Sequence, residues 1–186
     1  MRPVPTIEPR LAWLVVFGAL GLVVLGGGIW WALQREGPVE VTTSVEQELT
    51  GTRTIDLYFP AAGGGIERES REIVGGELLE DDVRRTIDEL IHGGESGVRP
   101  IPPATRLLNV FYDGDGEVTL SFTDHLRTDH PGGSEAEIAT LECLVATIGA
   151  NFAGVDQVRI LIEGEEAVTL AGHADLRNPL RVEEYR

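Results

Sequence analysis

The chain of 186 residues carries 31 acidic against 15 basic residues, all of the latter arginine, for a net charge of −16. Such a balance excludes nucleic acid and anionic lipid headgroups as partners and suits a basic protein, divalent cations or high external salt. The single cysteine, Cys143, excludes an intrachain disulfide, so a folded domain here must hold through its apolar core alone.

Residues 11–33, "LAWLVVFGALGLVVLGGGIWWAL", run 23 residues without a charge. At about 1.5 Å per residue a helix of that length crosses the roughly 30 Å hydrocarbon core of a membrane. Trp13 and the pair Trp30 and Trp31 fall where aromatic rings favour the interface. Arg2 and Arg10 precede the run and acids dominate after Arg35, which orients the N-terminus inside and the C-terminal part outside. A cleaved secretory signal fits less well, since the apolar run is too long and no A-x-A-like site follows. The expected organisation is a cytoplasmic tail over 1–10, a transmembrane helix over 11–33 and a polar linker over 34–52. A domain over 53–181 and a short tail over 182–186 complete it. From Gly51 onward 12 arginines face 26 acids, so the domain alone carries −14.

Within the domain the hydrophobic period alternates. "RTIDLYF" (53–59) places Ile55, Leu57 and Phe59 on one face of a strand, and "IERESREIV" (66–74) predicts a more exposed second one. In "LLEDDVRRTIDELIHGG" (78–94), Val83, Ile87, Leu90 and Ile91 fall on one helical stripe, with acids in the first turn and glycines at the end. A proline-rich loop follows, then "RLLNVFY" and "EVTLSF" across Asp113–Gly116 as a hairpin. Ser134 to Phe152 predicts a second helix, with Ser134 and Glu137 as a capping box. "QVRILIE" (157–163) and "AVTLA" (167–171) predict a closing hairpin. The order β-β-α-β-β-α-β-β suggests an α/β two-layer sandwich, with both helices on one mixed sheet.

The stretch "TDHLRTDHPGGSE" (123–135) repeats Thr-Asp-His and raises the question of a metal or acid/base centre at Asp124, His125, Asp129 and His130. No ligand spacing typical of zinc appears, and a solvated loop is the simpler reading. Asp113, Asp115 and Glu117 resemble the start of a calcium loop, but Val118 stands where glycine is required. Cys143 has only Ala139, Ala146 and Ala150 on its helical face, so no neighbour is placed to activate its thiol. His173 and Asp175 read as a turn in which the aspartate accepts backbone amides. No catalytic residue, cofactor or metal ligand is therefore assigned.

Taken in order, "RTIDLYFP", "PIPPATRLLNVFYDGDGEVTLSFTDHL" and "GGSEAEIATLECLVATIGANFAGVDQVRILIEGEEAVTLAGHADLRNPL" resemble the GerMN domain of sporulation and spore-germination proteins, over residues 53–181. The resemblance implies a non-enzymatic, extracytoplasmic assembly module of the bacterial envelope, similar to ring-building domains that pack side by side. Relatives are often lipoproteins with two such modules, whereas this sequence shows one module and no lipobox cysteine. The expected role is thus protein–protein contact outside the inner membrane, with an envelope protein or a second copy as partner. The small-residue stripe Ala139, Cys143, Ala146 and Ala150 would receive either the first helix within the domain or the same surface of a neighbouring copy, and in the second case it is the contact surface. A cell-wall hydrolase, or a cation-binding sensor, using the Asp/His loop 124–130 is the alternative.

Overall fold

Alternation of apolar side chains at Ile55, Leu57 and Phe59 builds β1 (Thr52–Pro60), which pairs antiparallel with β2 (Ile66–Val74). The computed structural model describes residues 51–185. The predicted cytoplasmic tail, the apolar span 11–33 and the linker up to residue 50 lie outside the described residues. Among those described, no helix is long and apolar enough to cross a membrane.

β2 buries only Ile73 fully, and the charges beside it are neutralised locally. The Arg71 guanidinium pairs with Glu69 and Glu89, donates to the Gly93 carbonyl at 2.6 Å and lies over the Phe59 ring. This network ties the hairpin to the end of α1 (Leu79–His92). On that helix Val83, Thr86, Ile87, Leu90 and Ile91 form the buried face, which includes the predicted stripe. At its start Asp82 accepts the Gly76 amide at 2.6 Å and pairs with Arg53 at 2.8 Å.

β3 (Leu107–Tyr112) and β4 (Glu117–Phe122) make the predicted hairpin. Asp113 stabilises its turn by accepting the amides of Asp115 and Glu117 at 2.8 and 3.0 Å. β4 then pairs parallel with β5 (Gln157–Ile162). The connection between them holds a short α2 (His125–Thr128) and the long α3 (Ser134–Asn151). Val118, Leu120 and Phe122 of β4 and Val158, Ile160 and Ile162 of β5 supply the buried face of this sheet.

The single mixed sheet expected from the sequence is replaced by two: β1 with β2, and β3-β4-β5 with the short β6 (Glu165–Glu166) and β7 (Leu180–Arg181) both paired to β5. The physical reason lies at the edge of β1. The amides of Asp56 and Tyr58 turn away from β2 and are accepted by Asn151 Oδ1 and Thr147 Oγ1 of α3, at 2.9 and 3.1 Å. Asn151 Nδ2 also donates to the Asp56 carbonyl at 2.6 Å. A helix side therefore takes the hydrogen bonds that another strand would have taken.

The predicted closing strand over 167–171 is likewise corrected. β6 is only Glu165–Glu166, β7 only Leu180–Arg181, and Thr169 forms an isolated bridge with Asp175. Ahead of β6, Glu163 and Gly164 take positive φ angles of 52° and 81°, as a two-residue hairpin turn requires. Residues 182–185, expected as a tail, form a 3-10 turn (Val182–Tyr185) that belongs to the core. Val182 is 2% exposed and packs so close to Gly149 that a Cβ there would lie 2.2 Å from its Cγ1.

Candidate functional site

The repeated Thr-Asp-His stretch leaves β4 at Thr123, whose side chain is an extension of the sheet. Its Oγ1 accepts the Arg106 amide at 3.0 Å, and its own amide donates to the Arg106 carbonyl at 2.9 Å. The Asp124 amide donates to Glu163 Oε1 at 2.8 Å, so the start of α2 is held by the β5-β6 turn. Within one helical turn the side chains then separate. Asp124 pairs with Arg127, and His125 lies 3.1 Å from Asp129, both pairs exposed.

His130 turns the other way. Its Nδ1 accepts the Gly132 amide at 3.0 Å, which leaves the proton on Nε2 to be donated to Thr140 Oγ1 at 2.9 Å. The Thr140 hydroxyl donates in turn to the Pro100 carbonyl at 2.6 Å. Burial pushes the His130 imidazole below its ordinary range, against the opposing charge of Glu137. The ring is thus a neutral strut between the 130–133 loop, α3 and the proline loop. Among the described residues no group of three or more His, Cys, Asp or Glu is placed to share a metal ion.

The capping box predicted at Ser134 does not form. Gly133 is the N-cap, no side chain caps the helix, and Ser134 is its first residue. Glu137 is instead fully buried and points into the loop after β6. It accepts the amides of Ala171, His173 and Ala174 at 3.0, 3.0 and 2.8 Å, and its Oε1 lies 2.9 Å from His173 Nδ1. Burial would raise its pKa, but these donors outweigh it and hold the carboxyl down at about 2. Three amides converging on one carboxylate also explain why 171–174 curls away from the expected strand. Asp175 accepts the Arg177 amide at 3.0 Å, as a turn residue does.

The predicted contact stripe is split. Cys143 is 0% exposed and burial pushes its thiol up to about 12, so it offers neither a surface nor a nucleophile. Ala146 and the exposed Ala150 line a groove of about 350 Å3 with Tyr58, Ile66 and Tyr185. Ala139 belongs to a different recess, of about 390 Å3, walled by Pro60, Pro100, Ile101, Pro102 and Pro131 and edged by Asp129 and His130. Of the four Asp and His side chains singled out in the repeat, only these last two reach it.

A further recess of about 300 Å3 adjoins the proline-walled one, since Arg99 and Pro103 line both. Its remaining lining comes from the end of α1 (Asp88, Ile91, His92) and from Thr105 and Arg106. Sequence reasoning assigned none of these residues to a site. The only signal was three prolines between two arginines in "RPIPPATR" (99–106), and nothing in a sequence tells which arginines find acidic partners.

A family model described as sporulation and spore germination (Germane) matches residues 56–168. Among solved structures, the tandem GerMN domains of the sporulation protein GerM from Bacillus subtilis align with 20% identity and a TM-score of 0.60. That alignment covers 72% of this chain and 48% of the other, so the chain spans about half the tandem protein. The first GerMN domain of the same protein aligns with 18% identity and a TM-score of 0.54, over 69% of this chain and 93% of the other. A candidate lipoprotein from Clostridium perfringens aligns with 23% identity and a TM-score of 0.52, over 72% and 90%. At these identities the structural likeness concerns the fold. No curated protein matches the sequence.

Proposed function

From the premise that the chain belongs to the sporulation and spore germination family, we propose that it is a membrane-anchored contact module of a bacterial envelope complex. The apolar run 11–33 holds it in the inner membrane with the N-terminus inside, and the domain works outside the cytoplasm by binding protein. The observation that carries this reading is the apolar groove of Ala146 and Ala150, bordered by two tyrosine rings. Small helix residues let a neighbour's backbone approach closely, and Tyr58 and Tyr185 supply the amphipathic flanks that protein interfaces favour. A membrane tether raises the effective concentration of such domains, so modest lateral contacts suffice. The chemistry supports binding over hydrolysis: only Asp129 and His130 line the recess, Asp124 pairs with Arg127 outside it, and His125 pairs with Asp129 on the exposed side, so the four do not line one cleft.

The occupant we propose is a second copy of this chain: anchored copies share one membrane surface at high effective concentration, and burial of the two apolar grooves against each other offsets the repulsion between their acidic surroundings. Photo-crosslinking from position 150 in the full-length chain in its own membrane tests this. Adducts of twice the chain mass are expected from 150, none from the exposed control position 177, and none once Ala150→Glu is introduced beside a crosslinker at 58. Adducts only to another protein, or none at all, would overturn the self-contact.

A further inference from the structure

We propose that the recess between the end of α1 and residues 99–106 binds the terminal carboxylate of a peptide whose preceding side chain is apolar. Four observations converge on it. First, Arg99 and Arg106 both line it, and among the described residues neither guanidinium has a hydrogen-bond or ion-pair partner. Every other described arginine faces a carboxylate or a backbone carbonyl. Acids outnumber arginines 26 to 12 in the domain, yet the two guanidinium groups without a partner among the described residues, both exposed, fall in one recess.

Second, Thr105 lines the same recess, and its buried Oγ1 has no hydrogen-bond partner among the described residues. A buried hydroxyl without a partner is unfavourable, and an entering anion would accept its proton. Third, the remaining polar lining is His92 and Asp88. Two arginines against one aspartate leave room for a single negative charge, where a phosphate dianion would meet repulsion from Asp88. A planar carboxylate also matches the arginine fork. Burial holds the Asp88 carboxyl above the usual range, and Arg84, His92 and Glu89 are the charged groups that act on it. Fourth, Arg99 and Pro103 carry the wall on into the recess of Pro60, Ile101, Pro131 and Ala139, which offers apolar surface beside the charged end. A free anion would have no use for that second chamber, whereas the side chain behind a peptide C-terminus would fill it.

The site lies apart from the Ala146 and Ala150 groove, so its fate is independent of the self-contact proposed above. Calorimetric titration of the full-length chain in detergent with N-acetyl-leucyl-alanine is the test. One-to-one binding is expected, at least tenfold weaker in Arg99→Gln and in Arg106→Gln, several-fold weaker in Thr105→Val, and unchanged in Arg177→Gln. The C-terminal amide of the same peptide should not bind. Equal binding of acid and amide, or wild-type affinity in both arginine variants, would overturn the proposal. Tighter binding of inorganic phosphate would refute the carboxylate assignment, and equal binding of N-acetyl-glutamate amide would refute a terminal one. If a variant fails to fold, Nε–Hε resonances of Arg99 and Arg106 in the unmodified chain decide it: both must shift with the acid and stay fixed with the amide.

Discussion

Two ionic sites in this domain are opposites. At Glu137 a lone carboxylate, fully buried, meets three backbone amides and an imidazole, and both of its oxygens are engaged. At the recess of Arg99 and Arg106 two exposed guanidinium groups and a buried hydroxyl have no partner among the described residues. The first arrangement spends its interactions inside the molecule, so its work is to hold a loop. The second has interactions left over, which is what a binding site looks like before its ligand arrives. Sequence alone ranks them the other way round, because an acid at the third position of a helix reads as a cap and an arginine in a loop reads as a solvated charge.

The sharpest way to break this comparison is to remove the satisfied charge. Glu137→Gln keeps the shape but loses charge-assisted bonds and turns an NH2 toward amide donors, at a cost of about 3 kcal/mol. Denaturant unfolding of the variant measures it; a loss below about 1 kcal/mol would mean the loop holds itself. The same group sets the acid limit. Its carboxyl is lowered from 4.5 to about 2, so the stability it supplies is complete above pH 4.5 and is lost as pH falls toward 2. The wild-type chain should destabilise steeply across that window, and Glu137→Gln should show a flatter slope there.

A smaller effect is expected where packing, not charge, is satisfied. In Gly149→Ala the new methyl meets Val182 Cγ1 at 2.2 Å, which overpacking makes unfavourable by about 1–3 kcal/mol. The better helix propensity of alanine returns up to about 1 kcal/mol. A net loss of about 1–2 kcal/mol in thermal or denaturant unfolding is the expected outcome. No loss would show that the closing 3-10 turn is not part of the cooperative core.

What was legible in the sequence follows the same division. β1, α1, the β3-β4 hairpin and β5 each have one buried and one wetted face, and their periodicity announces them. Along α3 the signal fails, since from Thr140 to Gly149 almost every side is covered and two stripes of side chain look alike. Ile138 is 48% exposed although it is large and apolar, while Cys143, on another side of the same helix, is fully buried. The strand over 167–171 was illegible for another reason. Its Ala167 and Leu170 do turn inward, but a carboxylate some thirty residues earlier bends the backbone that follows. Pairing of arginines is a property of the folded chain, so no spacing announces the Arg99 and Arg106 recess.

The unpaired arginines should matter least to stability. Arg99→Gln and Arg106→Gln remove charges that the folded domain does not use, so each should change stability by no more than about 0.5 kcal/mol. Their removal also brings two more uncompensated negative charges to a surface already at −14, and that repulsion is screened at ordinary salt. Denaturant unfolding at low and high salt separates the two contributions: a loss confined to low salt reflects net charge alone. A loss of 2 kcal/mol or more at high salt, comparable with Glu137→Gln, would mean that these arginines hold the fold after all. The distinction between a satisfied structural charge and an unsatisfied recognising one would then collapse for this domain.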